Sequence, residues 1–166
     1  GSMEAYARIY LHLTRPLALA HRAEVFAFAT ALSRITPAIR QRTSADVIDH
    51  MDSVVGDRFS GTRLADSLAT LLHHRTWSAS LRGAVVLICS DGWDSGEPAD
   101  LERAMRRVSL LAHRVIWVNP RSAAEGFEPL TRGMSAARPF CDVFLAGNTA
   151  RSMSAVVDAL VDDAPN

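Results

Sequence analysis

Three short stretches hold the oxygen-bearing side chains best placed to do chemistry. The longest is Ala84 to Gly96, AVVLICSDGWDSG, in which an apolar run leads straight into Ser90 and Asp91, and Asp94 follows three places later. A carboxylate delivered to the end of a buried strand is placed to bind a hard cation, to polarise a water or to cap the next helix. Asp-Gly at a strand end is also ordinary turn chemistry, and Asp94 suits capping or orienting the loop better than ligation. The second stretch is SGTRLADSL, where Gly61 makes a turn and the Thr62 hydroxyl stands before an amphipathic segment. A helix N-cap accounts for Thr62 without any ligand. The third is Ser2, just ahead of the first helical segment; Gly1-Ser2 before Met3 reads either as native sequence or as a cloning scar.

Other reactive side chains have plainer readings. His73 and His74 are adjacent, so on a helix they point about 100° apart and do not share an ion; the helix dipole suits at least one of them. His12, His21, His50 and His113 show no paired spacing. Cys89 and Cys141 lie inside apolar runs and read as inert buried thiols. Asn119 ends a strand next to that of Asp91 and is assigned to the site rim, although a turn before Pro120 also explains it. Trp93 is expected to pack beneath its loop, Gly92 to permit the tight turn, and Asp94 to hold that turn by backbone hydrogen bonds.

The elements that position these residues follow from hydrophobic periodicity. Glu4 to about Thr14 has a helical apolar face of Tyr6, Ile9, Tyr10 and Leu13, and Pro16 is expected to end or kink it. EVFAFAT (Glu24 to Thr30) and SRITPAI read as a strand and a short antiparallel neighbour. TSADVIDHMDSVV reads as a helix capped by Thr43 or Ser44. A second helix buries Leu64, Leu68, Leu71 and Leu72. The strand Gly83 to Ser90 comes next, then a helix with Pro98 near its first position. RVIWVNP is a further buried strand, and a looser stretch with Gly126, Pro129, Gly133 and Pro139 leads to the strand CDVFLAG and the closing helix SMSAVVDALVDD. Strands alternating with amphipathic helices predict an α/β, Rossmann-like three-layer sandwich around a mainly parallel sheet. Residues 1–163 are expected to form a single domain and 164–166 a frayed tail. In such sheets, ligands sit beyond the carboxyl ends of the strands.

Composition sets the outer limits. The 166 residues carry 18 acidic and 18 basic side chains, a balance that marks no nucleic-acid partner. All the bases are arginine, so the chain lacks the lysine that a phosphate-binding P-loop requires. No apolar run reaches the length of a membrane span, and no signal-peptide pattern opens the sequence, so a cytoplasmic protein is expected.

GSM before the first helix, SGTR before the middle helix and SDGWD after a strand resemble the three metal-site segments of von Willebrand factor A domains. RGAVVLICSDGWDSGEP, RVIWVNP, FEPLTRGMSAARPFCDVFLAG and EVFAFAT resemble more narrowly the CoxE-like branch, associated with carbon monoxide dehydrogenase gene clusters and related maturation systems. The resemblance extends from about Gly1 to Leu160 and implies one antiparallel edge strand. It also implies a metal-ion-dependent adhesion site for Mg²⁺ or Mn²⁺, with Asp91 as the third-loop acid, Thr62 as the second-loop threonine and Ser2 as the last serine of the first segment. Gly61, Gly92, Asp94 and Asn119 would form its partner-binding rim. The first acid and first serine of that segment, and the strand before them, would precede Gly1, so the domain is expected to be N-terminally truncated and the ion site incomplete. An unpaired gap between EVFAFAT and AVVLICS would then favour self-association through strand edges.

The function so implied is metal-dependent recognition of an acidic side chain on a protein partner, with no chemical step, during maturation of a metalloenzyme with a MoxR-type AAA+ ATPase. Two alternatives stand beside it. One is a metal-free scaffold or oligomerisation domain. The other is a Mg²⁺-dependent phosphohydrolase using Asp91 and Asp94, against which no nucleophile-and-base pair accompanies them.

Overall fold

The computed structural model describes residues 4–28, 30–41, 46–47, 63–121 and 131–161. In chain order these form α1 (Glu4–Ala20), β1 (Phe26–Phe28), β2 (Leu32–Arg34), α2 (Thr36–Gln41), α3 (Leu64–His73), α4 (Arg75–Ser80) and β3 (Val85–Cys89). Then come α5 (Pro98–Leu111), β4 (Arg114–Asn119), α6 (Arg132–Ala137), a 3-10 turn (Arg138–Phe140), β5 (Val143–Ala146) and α7 (Ala150–Val161).

Strands β3, β4 and β5 form a parallel sheet in that order, with Cys89 opposite Val118 and Asn119 opposite Ala146. Successive side chains on a strand face opposite ways, and both faces here are apolar. Ile88, Val115 and Trp117 pack against Leu64, Leu68, Leu101, Met105 and Met134 of α3, α5 and α6. Ile116 and Val118, with Val85, Leu87 and Leu145, pack on the other side against Tyr10 of α1 and Val156 of α7. The result is the expected three-layer α/β sandwich. Tyr10 also donates from its hydroxyl to the Gly147 carbonyl, 3.3 Å, tying α1 to the carboxyl end of β5.

Strands β1 and β2 pair antiparallel in a separate two-stranded sheet. Among the described residues no ladder joins them to β3, which leaves β3 at the edge of its sheet. Phe26 and Phe28 turn toward the α3–α5 side of the core, where Phe26 meets Trp77 edge-on at 5.2 Å. Val25 and Ala27 turn toward a smaller cluster of Leu11, Ala18, Ile35 and Ile39 between α1 and α2. A bidentate Arg34–Glu24 pair, 2.6 and 2.9 Å, and the Thr36 hydroxyl at 2.9 Å clamp the ends of this hairpin. Hydrogen bonding from Arg34 holds the Glu24 carboxyl below its usual range.

Three local expectations need correction. Helix α1 continues through Pro16 to Ala20. Proline leaves one carbonyl a turn earlier without its N–H partner, but Pro16 is exposed, and burial of Leu11 before it and Ala18 after it holds both halves against α2. The stretch read as loose contains α6 and the 3-10 turn, because Thr131 caps α6 by accepting from the Met134 N–H, 3.2 Å. The pair His73-His74 ends α3 and also starts a helix absent from the periodicity reading: His74 Nδ1 accepts from the Trp77 N–H at the head of α4, and its ring stacks on Trp77 at 3.9 Å. The helix expected from Thr43 lies almost wholly outside the described residues. No helix among the described residues is long and apolar enough to cross a membrane.

Candidate functional site

Asp91 stands where the sequence places it, at the carboxyl end of the parallel sheet. The β3–β4 ladder runs one step past Cys89, since the Ser90 N–H donates to the Val118 carbonyl at 3.0 Å. That extra rung brings Ser90 and Asp91 beside Asn119 at the end of β4. Ser90 is buried, and its hydroxyl accepts from the Gly92 N–H at 3.1 Å, closing the turn. Its carbonyl accepts from the indole N–H of the fully buried Trp117, 2.9 Å.

The Asp91 side chain is only 7% exposed. Its Oδ1 accepts from the Trp93 N–H at 3.2 Å, and its Oδ2 lies 3.9 Å from an Arg121 guanidinium nitrogen. Gly92 adopts φ +78°, in the left-handed region, and a Cβ on it would stand 3.0 Å from Met134 Cβ. Thr131 donates from its hydroxyl to the Gly92 carbonyl at 3.1 Å. The first turn of α6 therefore packs directly against the loop that carries Asp91.

Asp94 performs the capping role expected of it. Its Oδ1 accepts from the Gly96 N–H at 3.1 Å and its Oδ2 from the Ala65 N–H at 3.2 Å, in the first turn of α3. Arg63, the N-cap residue of α3, makes no side-chain cap, so a carboxylate from the neighbouring loop satisfies one of the open helix donors. Asn119, expected on the rim, is fully buried. Its Nδ2 donates to the Asp91 carbonyl, 3.4 Å, while its Oδ1 accepts from the Arg121 N–H, 2.8 Å. Gly92 is buried as well. Both hold the loop from within.

Trp93 reverses its expectation. It is 62% exposed, because the left-handed turn at Gly92 carries the next side chain outward while its backbone N–H stays on Asp91. The outer surface of the loop thus carries an indole, and the exposed Arg121 guanidinium lies near Asp91 Oδ2. Ser2, Gly61 and Thr62 lie outside the described residues.

Three contributors were missed in the sequence: Trp117, Thr131 and Gly133. A buried Trp needs a hydrogen-bond acceptor, and Thr131 three places before Met134 carries an N-cap signature. Those two were readable; the close approach of Gly133 to the Gly92 carbonyl was not. Burial pushes the Cys89 thiol up to about 12 and the Cys141 thiol to about 11, which keeps both protonated and unreactive at neutral pH. Among the described residues, no three His, Cys, Asp or Glu side chains converge on one point.

A parallel sheet covered by helices on both faces, with a nearly buried carboxylate at its carboxyl edge, is an α/β architecture; in such sheets generally, ligands sit beyond the strand ends. Residues 1–153 match the family described as VWA domain containing CoxE-like protein. The chain belongs to that family. No curated protein matches it, and no solved structure does.

Proposed function

We propose that this chain is a protein-recognition module that binds a divalent cation, Mg²⁺ or Mn²⁺, at Asp91 and uses it to engage an acidic side chain on a partner. The observation that carries the reading is the Asp91 carboxylate, nearly buried, on a backbone held at the sheet edge by the β3–β4 ladder and by the Asn119 amide on the Asp91 carbonyl. A hard carboxylate oxygen in a polar strand-end loop suits Mg²⁺, which takes oxygen donors and retains several waters. The hydroxyls of Ser2 and Thr62 are the expected further ligands. A cation bound there would supply an open coordination position to a partner's carboxylate. Around that position the chain's own residues fix the loop, and Trp93 offers an apolar contact beside the charge.

Family membership supports a role in assembling or maturing a metalloenzyme, and a MoxR-type AAA+ ATPase is the co-worker we propose. No chemical step is required. In particular, Asp94 is committed to the α3 N-terminus and to Gly96, which weighs against a two-carboxylate hydrolase. The second reading, a metal-free scaffold, is favoured by the Arg121 guanidinium near Asp91 Oδ2, since a cation is thereby already supplied from within.

Calorimetric titration of Mg²⁺ and Mn²⁺ into the chain and into Asp91→Asn tests the proposal. The asparagine retains an oxygen to accept from Trp93 but carries no charge. Binding by the native chain that is lost in the variant supports the ion-bridge reading. Equal behaviour of the two, with or without binding, refutes it.

A further inference from the structure

Arg121 approaches Asp91 Oδ2 while the Trp93 N–H holds Oδ1, and its position is built in. Asn119 bridges the two backbones, donating to the Asp91 carbonyl and accepting from the Arg121 N–H. Between them Pro120 is buried and fixes its own φ. The strand end therefore presents the Arg121 side chain toward the carboxylate, with 3.9 Å between Nη1 and Oδ2. That separation is at the outer limit of an ion pair, and the guanidinium side chain is 56% exposed against 7% for the acid. The acid is fixed and enclosed; the base is long, hydrated and free to withdraw into solvent.

A nearly buried carboxylate is costly without a compensating charge. Arg121 supplies one such charge, at the long end of ion-pair distance. A divalent cation would need the same Oδ2 face and would be repelled by a guanidinium beside it. The two cations are thus alternatives at one carboxylate.

We infer that Arg121 is an internal counter-cation that competes with the divalent ion for Asp91 and so sets the ion affinity of the site. This rests on the reading of Asp91 as an ion ligand. The displaced guanidinium then stands on the outer surface beside the bound ion, where a partner's second carboxylate can meet it. Acidic partners carrying two neighbouring carboxylates would therefore be favoured over those with one.

The test compares Mn²⁺ binding by calorimetry in the native chain, Arg121→Gln, Arg107→Gln and Asp91→Asn, with melting curves to establish that each variant is folded. Arg107 is exposed on α5, so its replacement removes the same charge away from the site. Arg121→Gln is expected to bind Mn²⁺ roughly two- to five-fold more tightly than the native chain, the range spanned by a partly exposed ion pair. Arg107→Gln is expected to match the native chain. Unchanged or weaker binding in Arg121→Gln, with binding still lost in Asp91→Asn, overturns the role of Arg121 and leaves the ion site standing. No binding in the native chain or in Arg121→Gln overturns both.

Discussion

Replacing Gly133 with alanine sets two effects of opposite sign against each other. Gly133 sits in the first turn of α6, where alanine would gain roughly 0.5–1 kcal/mol over glycine from backbone entropy. A Cβ at 133, however, would stand 2.6 Å from the Gly92 carbonyl oxygen. A carbon–oxygen contact relaxes at roughly 3.3 Å, so helix or loop must retreat by about 0.7 Å. The loop cannot retreat freely: Gly92 is at φ +78°, its carbonyl accepts from Thr131, and its N–H is on Ser90. Overpacking of this kind costs roughly 1–3 kcal/mol. The net is a destabilisation of about 0.5–2 kcal/mol, or a fall in Tm of about 2–6 °C for a domain of this size. Thermal and urea unfolding of Gly133→Ala, beside Ser135→Ala on the exposed face of the same helix, measures it. The control is expected to stay within about 0.5 kcal/mol of the native chain. A Gly133→Ala chain as stable as the native one, or more so, would show that α6 and the Asp91 loop are not in the tight contact described.

Three further perturbations read other parts of the structure. Asp94→Ala strips the acceptors from the Ala65 and Gly96 N–H groups and is expected to cost about 1–2 kcal/mol, with Asp94→Asn losing less because asparagine also caps; equal losses would mean that the carboxylate acts by packing. Ser67→Ala is expected to stabilise by about 1 kcal/mol in denaturant melts, because among the described residues the Ser67 hydroxyl is a buried group without a hydrogen-bond partner. A loss of stability there would reveal a partner for it. The two thiols, raised to about 12 and about 11, are expected to react with a disulfide reagent at pH 8 only after unfolding. Because native thiols hold their protons where unfolded ones begin to ionise, the thiols' contribution to stability is full below about pH 8.5 and is lost as the pH rises toward the native values; rapid labelling of the folded chain at pH 8 would contradict their burial.

The layers of the fold were legible because they rest on periodicity. The runs around Ile88, Trp117 and Phe144 are apolar on both faces, and that pattern requires helices on both sides of a parallel sheet. The path through Pro16 was not legible, because it depends on tertiary burial of Leu11 and Ala18 outweighing one lost hydrogen bond. Helix α6 was hidden by Gly133 and Pro139, which read locally as loop, while the reason for Gly133 lies in a contact with Gly92 some forty residues earlier. At the site, the sequence placed Asp91 at the strand end and gave Asp94 its capping role, both from the strand-to-turn transition. The exposure of Trp93 was misjudged because its direction is set by the φ of Gly92, and the burial of Asn119 because its two partners come from different loops. Sequence spacing carries neither kind of information.

The most direct test of the proposed ion site is to count ions. The electron paramagnetic resonance signal of free Mn²⁺, followed as the chain is added, reports how many ions each chain removes from solution. One Mn²⁺ per native chain, none for Asp91→Asn, and no turnover of a generic phosphoester under the same conditions is the predicted result. A native chain that leaves the free Mn²⁺ signal unchanged would contradict an ion bridge at Asp91 and leave the scaffold reading in its place.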